Sequence, residues 1–140
     1  MKIAINGFGR IGRSVFRILA ERDDLKVVAI NDISDPKSLA YLLKYDSVMG
    51  PFSGSVTLDN GVLTTDKQDC RMLAERDPAS LPWKDLGVDV VIESTGRFRS
   101  RAECQLHIDA GAEKVILTVP PKDDIDALLV LGVNDDILKP

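Results

Sequence analysis

The 140-residue sequence predicts a doubly wound α/β fold: a mostly parallel sheet with a small antiparallel hairpin inserted at one edge. Three observations predict it. Residues 2–32 read strand, glycine turn, helix, strand. Further apolar runs of strand length alternate with helical patterns toward the end of the chain, as in sheets built from βαβ units. Between them, Asn60-Gly61 separates two short β-prone runs, a strong hairpin signal.

The first stretch is the most informative. Lys2–Asn6 is apolar and strand-like, and Gly7-Phe8-Gly9-Arg10-Ile11-Gly12 follows at once. From Arg10 to Arg22, Ile11, Val15, Ile18 and Leu19 recur at helical spacing, with Arg13, Arg17, Glu21 and Arg22 expected on the solvent face. A second strand, Lys26–Ile30, ends in Asn31-Asp32, and Asp32 follows Gly12 by 20 residues. This is the G-x-G-x-x-G fingerprint of a Rossmann-type domain in its full context. Gly7 permits the tight turn, Gly9 lets the backbone approach a pyrophosphate, and Gly12 lets the helix pack against the sheet. The free N–H groups at the helix start then attract phosphate. Asp32 would accept from a ribose 2′-hydroxyl and repel a 2′-phosphate, which favours NAD over NADP.

The remaining elements follow in order. Asp35-Pro36 is a helix start, with an N-cap acid and proline at the first helical position, and Leu39, Leu42 and Leu43 supply its apolar stripe. Met49–Gly54 reads as loop, Ser55–Asp59 and Val62–Thr65 as the hairpin, and Cys70–Ala74 as containing a further short strand. Glu75 to Gly87 is mostly loop with a helical turn near Trp83. Gly87–Glu93 is a β-branched buried strand ending in Ser94-Thr95-Gly96. Ser100 and Glu103 form a capping box that opens a helix ending near Gly111. Lys114–Thr118 and Asp126–Leu131 read as the last two strands, the latter closing at Gly132-Val133-Asn134.

Composition is that of an ordinary globular domain, 44% hydrophobic and 29% charged. The net charge of −4, with no basic stretch, argues against nucleic-acid or membrane-surface partners. No apolar run reaches membrane-span length, and Met1-Lys2-Ile3 opens a strand rather than a signal peptide. Two separated cysteines, Cys70 and Cys104, suit neither a disulfide framework nor a metal site, so a cytoplasmic location is expected. In a doubly wound sheet, ligands bind at the carboxyl ends of the strands. That rule gathers Asn6-Gly7, Asn31-Asp32, Ser94-Thr95-Gly96, Thr118 and Asn134 into one crevice. Ordinary strand-to-loop punctuation could produce any one of them; with the glycine turn, a shared nucleotide cleft explains them together.

Ala4-Ile-Asn-Gly-Phe-Gly-Arg-Ile-Gly-Arg13, Tyr41–Ser47, Glu75-Arg-Asp-Pro78, Glu93-Ser-Thr-Gly96, Ala110-Gly-Ala112, Lys114-Val-Ile116 and Leu131-Gly-Val-Asn134 resemble the N-terminal half of the glyceraldehyde-3-phosphate dehydrogenase family. Erythrose-4-phosphate dehydrogenase shares most of these motifs. The resemblance implies an NAD-binding domain over residues 1–140, of an enzyme that oxidises an aldehyde with phosphate. It also implies that the backbone N–H groups of Arg10 and Ile11, in the turn that holds Phe8, meet the pyrophosphate. Asp32, assisted by Asn6 and Asn31, holds the adenosine ribose, and Arg76 lies beside the adenine. Ser94, Thr95 and Gly96 line the cofactor path, and Thr118 sits by the nicotinamide-side ribose.

Two departures from the family pattern bear on activity. Met49 stands where the family usually has histidine. The sequence ends at Pro140, ahead of the family's S-x-S-C-T-T-N segment with its nucleophilic cysteine, the activating histidine and the catalytic domain. Cys104 reads as a packing residue and Cys70 has no histidine near it in sequence. The sole histidine, His107, is expected to be a partly exposed helix residue. The expectation is a domain that binds NAD but has no catalytic or metal residues of its own. Its partners would be the catalytic domain, the family's homotetramer, or further copies through an exposed inter-domain face. A stand-alone NAD-binding or interaction module remains the alternative.

Overall fold

The computed structural model describes residues 1–138. Strand β1 (Lys2–Asn6), helix α1 (Arg10–Leu19) and strand β2 (Lys26–Asn31) form the opening βαβ unit, with β1 and β2 parallel. Helix α2 (Pro36–Lys44) begins at Asp35, whose carboxylate accepts from the Ser38 amide at 2.9 Å. A two-residue ladder joins β3 (Tyr45–Asp46) to β4 (Gly50–Pro51), so the expected Met49–Gly54 loop contains a small strand. Strands β5 (Val56–Asp59) and β6 (Val62–Thr65) form the hairpin, with Asn60 (φ 48°) and Gly61 (φ 75°) both left-handed as a type I′ turn requires. Strand β7 (Asp69–Leu73) pairs antiparallel with β6 and parallel with β2, which ties the hairpin to the main sheet. After the short helix α3 (Trp83–Leu86) come β8 (Val90–Glu93), α4 (Arg101–Asp109) and β9 (Lys114–Leu117).

Seven of these strands form one sheet, in the order β5-β6-β7-β2-β1-β8-β9. From β7 to β9 every neighbouring pair is parallel. The chain moves outward from β1 through β2, then returns to β1's other side at β8. The direction of winding therefore switches between β1 and β8, and a crevice opens at their carboxyl ends. Side chains alternate across β1: Ile3 and Ile5 face a core with Phe8, Phe16, Ile30, Leu39 and Leu43, and Ala4 faces a second core with Trp83 and Val91. Small Ala4 and Ala29 leave room for the fully buried Trp83. Burying a side chain such as Phe16 or Trp83 contributes about 1.5–3 kcal/mol.

Two sequence expectations are corrected here. Helix α1 buries Gly12, Arg13, Phe16, Arg17 and Leu19, with Arg13 and Arg17 each only 9% exposed, while Ile11 (51%) and Ile18 (62%) face solvent. The arginines lay their aliphatic stems along the core and end on carbonyl oxygens. Arg13 Nη1 donates to Phe8 O at 2.9 Å; Arg17 donates to Gly50 O at 2.9 Å and to Leu43 O at 2.5 Å. Leu42, counted in the stripe of α2, is likewise exposed. The second correction concerns residues 126–131, which form no strand. Leu131 is 89% exposed, and Asn134 closes a local turn by accepting from Val130 N–H at 2.7 Å and donating to Leu128 O at 2.9 Å. An apolar run becomes a strand only against an edge that accepts it, and among the described residues β9 pairs with β8 alone. Asn134 thus ends no strand.

Candidate functional site

The carboxyl ends of β1, β2 and β8 border a cleft of about 290 Å³. It brings together Asn6, Gly7, Gly9, Asn31, Asp32, Arg76, Ser94 and Thr95 from the expected set, and adds Ile33, Glu75, Arg97 and Phe98. The glycine turn sits tightly against β8. A Cβ on Gly7 (φ 90°) would lie 2.6 Å from the Thr95 nitrogen, and one on Gly12 would lie 2.2 Å from Gly7 O. Ser94 Oγ holds this junction by donating to Gly7 O at 2.6 Å. Gly9 differs, because a Cβ there would meet nothing within 4 Å. Its space opens on the cleft and suits a ligand's close approach.

Helix α1 starts at Gly9 with no side-chain cap, and its first hydrogen bond runs from Arg13 N–H to Gly9 O at 3.0 Å. The amides of Arg10, Ile11 and Gly12 stand ahead of that bond at the positive end of the helix. Asp32 accepts from Phe8 N–H at 2.7 Å on Oδ2 and from Ser34 N–H at 2.9 Å on Oδ1. Partial burial pushes its carboxyl up, but the Ser34 and Phe8 amides, the Ser34 hydroxyl and the nearby Arg13 guanidinium together hold it below the usual carboxylate value. A carboxylate therefore stands beside bare amides, each oxygen with a lone pair to spare. That set fits a ribose diol next to a diphosphate.

The other expected residues fall around this centre. Phe8 turns its ring into the core, edge-on to Phe16 at 5.6 Å, so it meets the site only through its backbone. Thr118, just after β9, donates from Oγ1 to Glu93 O at 3.1 Å. Arg76 is exposed, and its amide donates to Glu75 Oε1 at 2.7 Å. Met49, where the family resemblance leads one to expect histidine, accepts from the Ser14 hydroxyl on α1 at 3.3 Å. Neither thiol is activated. Burial pushes Cys70 up to about 12, helped by Asp69, and its Sγ donates to Val27 O at 3.1 Å. Burial and then the Glu93 and Glu103 carboxylates raise Cys104.

His107 is the main correction. It is completely buried, the one buried residue of α4, between Trp83 and Glu93. Nothing in its neighbours Leu106 and Ile108 shows this, because both partners come from distant parts of the chain. Sequence reasoning also misses Ile33, Glu75, Arg97 and Phe98, though each lies within two residues of an expected site position.

The fold and this cleft define a Rossmann-type dinucleotide-binding domain. Residues 1–101 match the family described as glyceraldehyde 3-phosphate dehydrogenase, NAD binding domain, and the chain belongs to that family. It is 56% identical to the glyceraldehyde-3-phosphate dehydrogenase of Thermotoga maritima, over 99% of this chain and 42% of that protein. The Borreliella burgdorferi enzyme of the same name is 55% identical over 96% of this chain and 41% of its own length. The Geobacillus stearothermophilus enzyme is 47% identical over 100% and 42%. The chain thus spans about two fifths of the length of these relatives. NAD is the cofactor of the family. Among the described residues no helix is long and apolar enough to cross a membrane.

Proposed function

We propose that residues 1–140 form the NAD-binding domain of a phosphorylating glyceraldehyde-3-phosphate dehydrogenase, and that this stretch of chain contributes no nucleophile. The observation that carries the reading is Asp32 fastened to the glycine turn beside the unpaired amides of α1. Asp32 accepts from the adenosine ribose hydroxyls, while Asn6 and Asn31 keep the neighbouring strand ends in place. The N–H groups of Arg10 and Ile11 bind the diphosphate across the open space at Gly9, and Gly7, Phe8 and Gly12 shape the turn that presents them. Arg76 flanks the adenine, Ser94, Thr95 and Gly96 border the path toward the nicotinamide, and Thr118 lies on its ribose side. NAD, when bound, supplies the hydride acceptor for aldehyde oxidation.

The enzyme's cysteine nucleophile and histidine base belong to sequence outside residues 1–140, since the raised Cys70 and Cys104 thiols and the buried His107 suit neither task. Assembly with a catalytic domain into a homotetramer, and residence in the reducing cytoplasm where Cys70 and Cys104 stay free, belong to the same reading. Calorimetric titration tests it: NAD binds and NADP binds far more weakly. The pure 140-residue chain, given glyceraldehyde 3-phosphate, phosphate and NAD, forms no NADH. Equal affinity for the two dinucleotides, or turnover by the chain alone, contradicts the reading.

A further inference from the structure

A hydrogen-bonded chain runs behind the cleft, and its buried inner members, Glu93, His107 and Trp83, have no part in the binding described so far. Its centre is Glu93, fully buried at the end of β8 and paired in register with Asn6 of β1. A buried carboxylate short of donors is strongly destabilising. Glu93 has four: the Thr95 amide (2.8 Å) and hydroxyl (2.5 Å) on Oε1, and Asn6 Nδ2 (2.5 Å) and His107 Nε2 (3.0 Å) on Oε2.

The tautomer of His107 follows from its other neighbour. The Trp83 indole N–H points at His107 Nδ1, 3.0 Å away. An indole nitrogen can only donate, so Nδ1 offers its lone pair and the ring proton sits on Nε2, aimed at Glu93. A proton on both nitrogens would set two donors head to head. On the far side, Asn6 Oδ1 accepts from Asn31 Nδ2 at 2.7 Å. The Asn31 side chain grips the Glu75 backbone in both directions, at 2.9 and 2.8 Å. Trp83 and His107 do not line the cleft, yet the chain they begin ends on Thr95, Asn6, Asn31 and Glu75, which do.

We propose that His107 is a positioning residue for NAD: its Nε2–H orients the Glu93 carboxylate, which holds Thr95 and Asn6 in the spacing the cofactor needs. The inference rests on reading the cleft as an NAD site. It is distinct from a purely structural role, which would move stability and leave affinity alone.

Two substitutions in the purified protein separate these cases. His107→Gln places an amide nitrogen where Nε2 was and keeps the donor to Glu93. His107→Asn is one bond shorter and keeps only the acceptor for Trp83. Both lower the melting temperature, but NAD affinity by calorimetry falls about tenfold in His107→Asn and stays within about threefold of wild type in His107→Gln. Wild-type affinity in His107→Asn, or equal losses in both variants, overturns the proposal. Asp32→Ala serves as control. If it loses NAD while His107→Asn keeps it, only this inference falls; a wild-type protein that takes up no NAD overturns the site reading with it.

A second measurement needs no variant. The His107 Nε2 proton, identified in NMR spectra by its coupling to Nε2 and its contacts with the two carbon-bound imidazole protons flanking that nitrogen, shifts as NAD is added. An NAD-indifferent resonance overturns the proposal as well.

Discussion

The amide of Phe8 donates to the carboxylate of Asp32 over 2.7 Å, which locks the end of β2 to the glycine turn that follows β1. The fingerprint glycines and the acid, 20 residues apart, are thus parts of one hydrogen-bonded unit before any ligand arrives. The arrangement is pre-organised, so a ligand does not have to order it.

Asp32→Ala removes both the proposed ribose acceptor and the partner of the Phe8 amide. NAD affinity is expected to fall ten- to a hundredfold, about 1.5–3 kcal/mol for lost hydrogen bonds to a charged group. The gap between NAD and NADP narrows, because the repelling charge is gone. Since the Asp32 carboxyl titrates below its usual value, its contribution is complete above about pH 4 and disappears only as acid protonates it. NAD titrations at pH 5.5 and 8 therefore give the same Asp32-dependent increment; a marked change between them contradicts the assignment.

Gly9 and Gly12 separate ligand space from packing space. Gly9→Ala puts a methyl into the open cleft, leaves the fold within about 1 kcal/mol of wild type, and weakens NAD binding sharply. Gly12→Ala drives a methyl onto Gly7 O, and overpacking of that kind costs about 1–3 kcal/mol. Urea denaturation alongside NAD titration reads the two effects independently. A Gly9→Ala protein with native affinity would remove the pyrophosphate from this turn.

What was legible in the sequence is what local geometry dictates. The glycine turn, the Asn60-Gly61 hairpin, the Asp35 cap and the Ser100–Glu103 box all bring together residues a few positions apart. What was not legible depends on partners that only the fold delivers. Arg13 and Arg17 looked solvent-facing until the carbonyls of Phe8, Leu43 and Gly50 came within reach of them. His107 looked half-exposed because Trp83 and Glu93 lie 24 and 14 positions away. Residues 126–131 carry a strand's apolar pattern, but a pattern states burial preference and supplies no pairing edge.

Arg17 offers a direct check on the corrected face of α1. Arg17→Met keeps an apolar stem but removes the guanidinium, which lies 5.7 Å from the Phe52 ring and donates to Leu43 O and Gly50 O. Leaving such carbonyls unpaired costs about 1–3 kcal/mol, readable as a lower urea midpoint. A neutral substitution would return Arg17 to the solvent face.

The capping box on α4 supplies a pH signature. Glu103 accepts from the Ser100 amide and hydroxyl and from the Arg99 amide at 2.7–2.9 Å, and these bonds lower its carboxyl from 4.5 to about 2. A depressed carboxylate contributes stability above its unfolded value and loses it as pH falls toward the folded one. Glu103→Ala is therefore less stable than wild type at pH 7, and the difference shrinks steadily between about pH 4.5 and 2. Melting curves at pH 7, 4 and 3 follow it; a constant difference would mean the carboxylate is not what holds the cap.

Cys70 gives the opposite sign and bears directly on the proposal that the nucleophile lies outside residues 1–140. Its thiol ionises at about 12 in the folded chain against 9.0 as its ordinary value. Folding then disfavours the thiolate, so the associated stability is complete below pH 9 and is lost as pH rises toward 12. With its ionisation pushed up to about 12, Cys70 is almost entirely thiol at pH 8, so iodoacetamide should leave it unmodified in the native protein and alkylate it after urea unfolding. Cys70→Ala flattens the alkaline decline in melting temperature. Rapid native alkylation of Cys70 would instead reveal an activated thiol inside residues 1–140, and the proposal that the nucleophile lies elsewhere would fail with it.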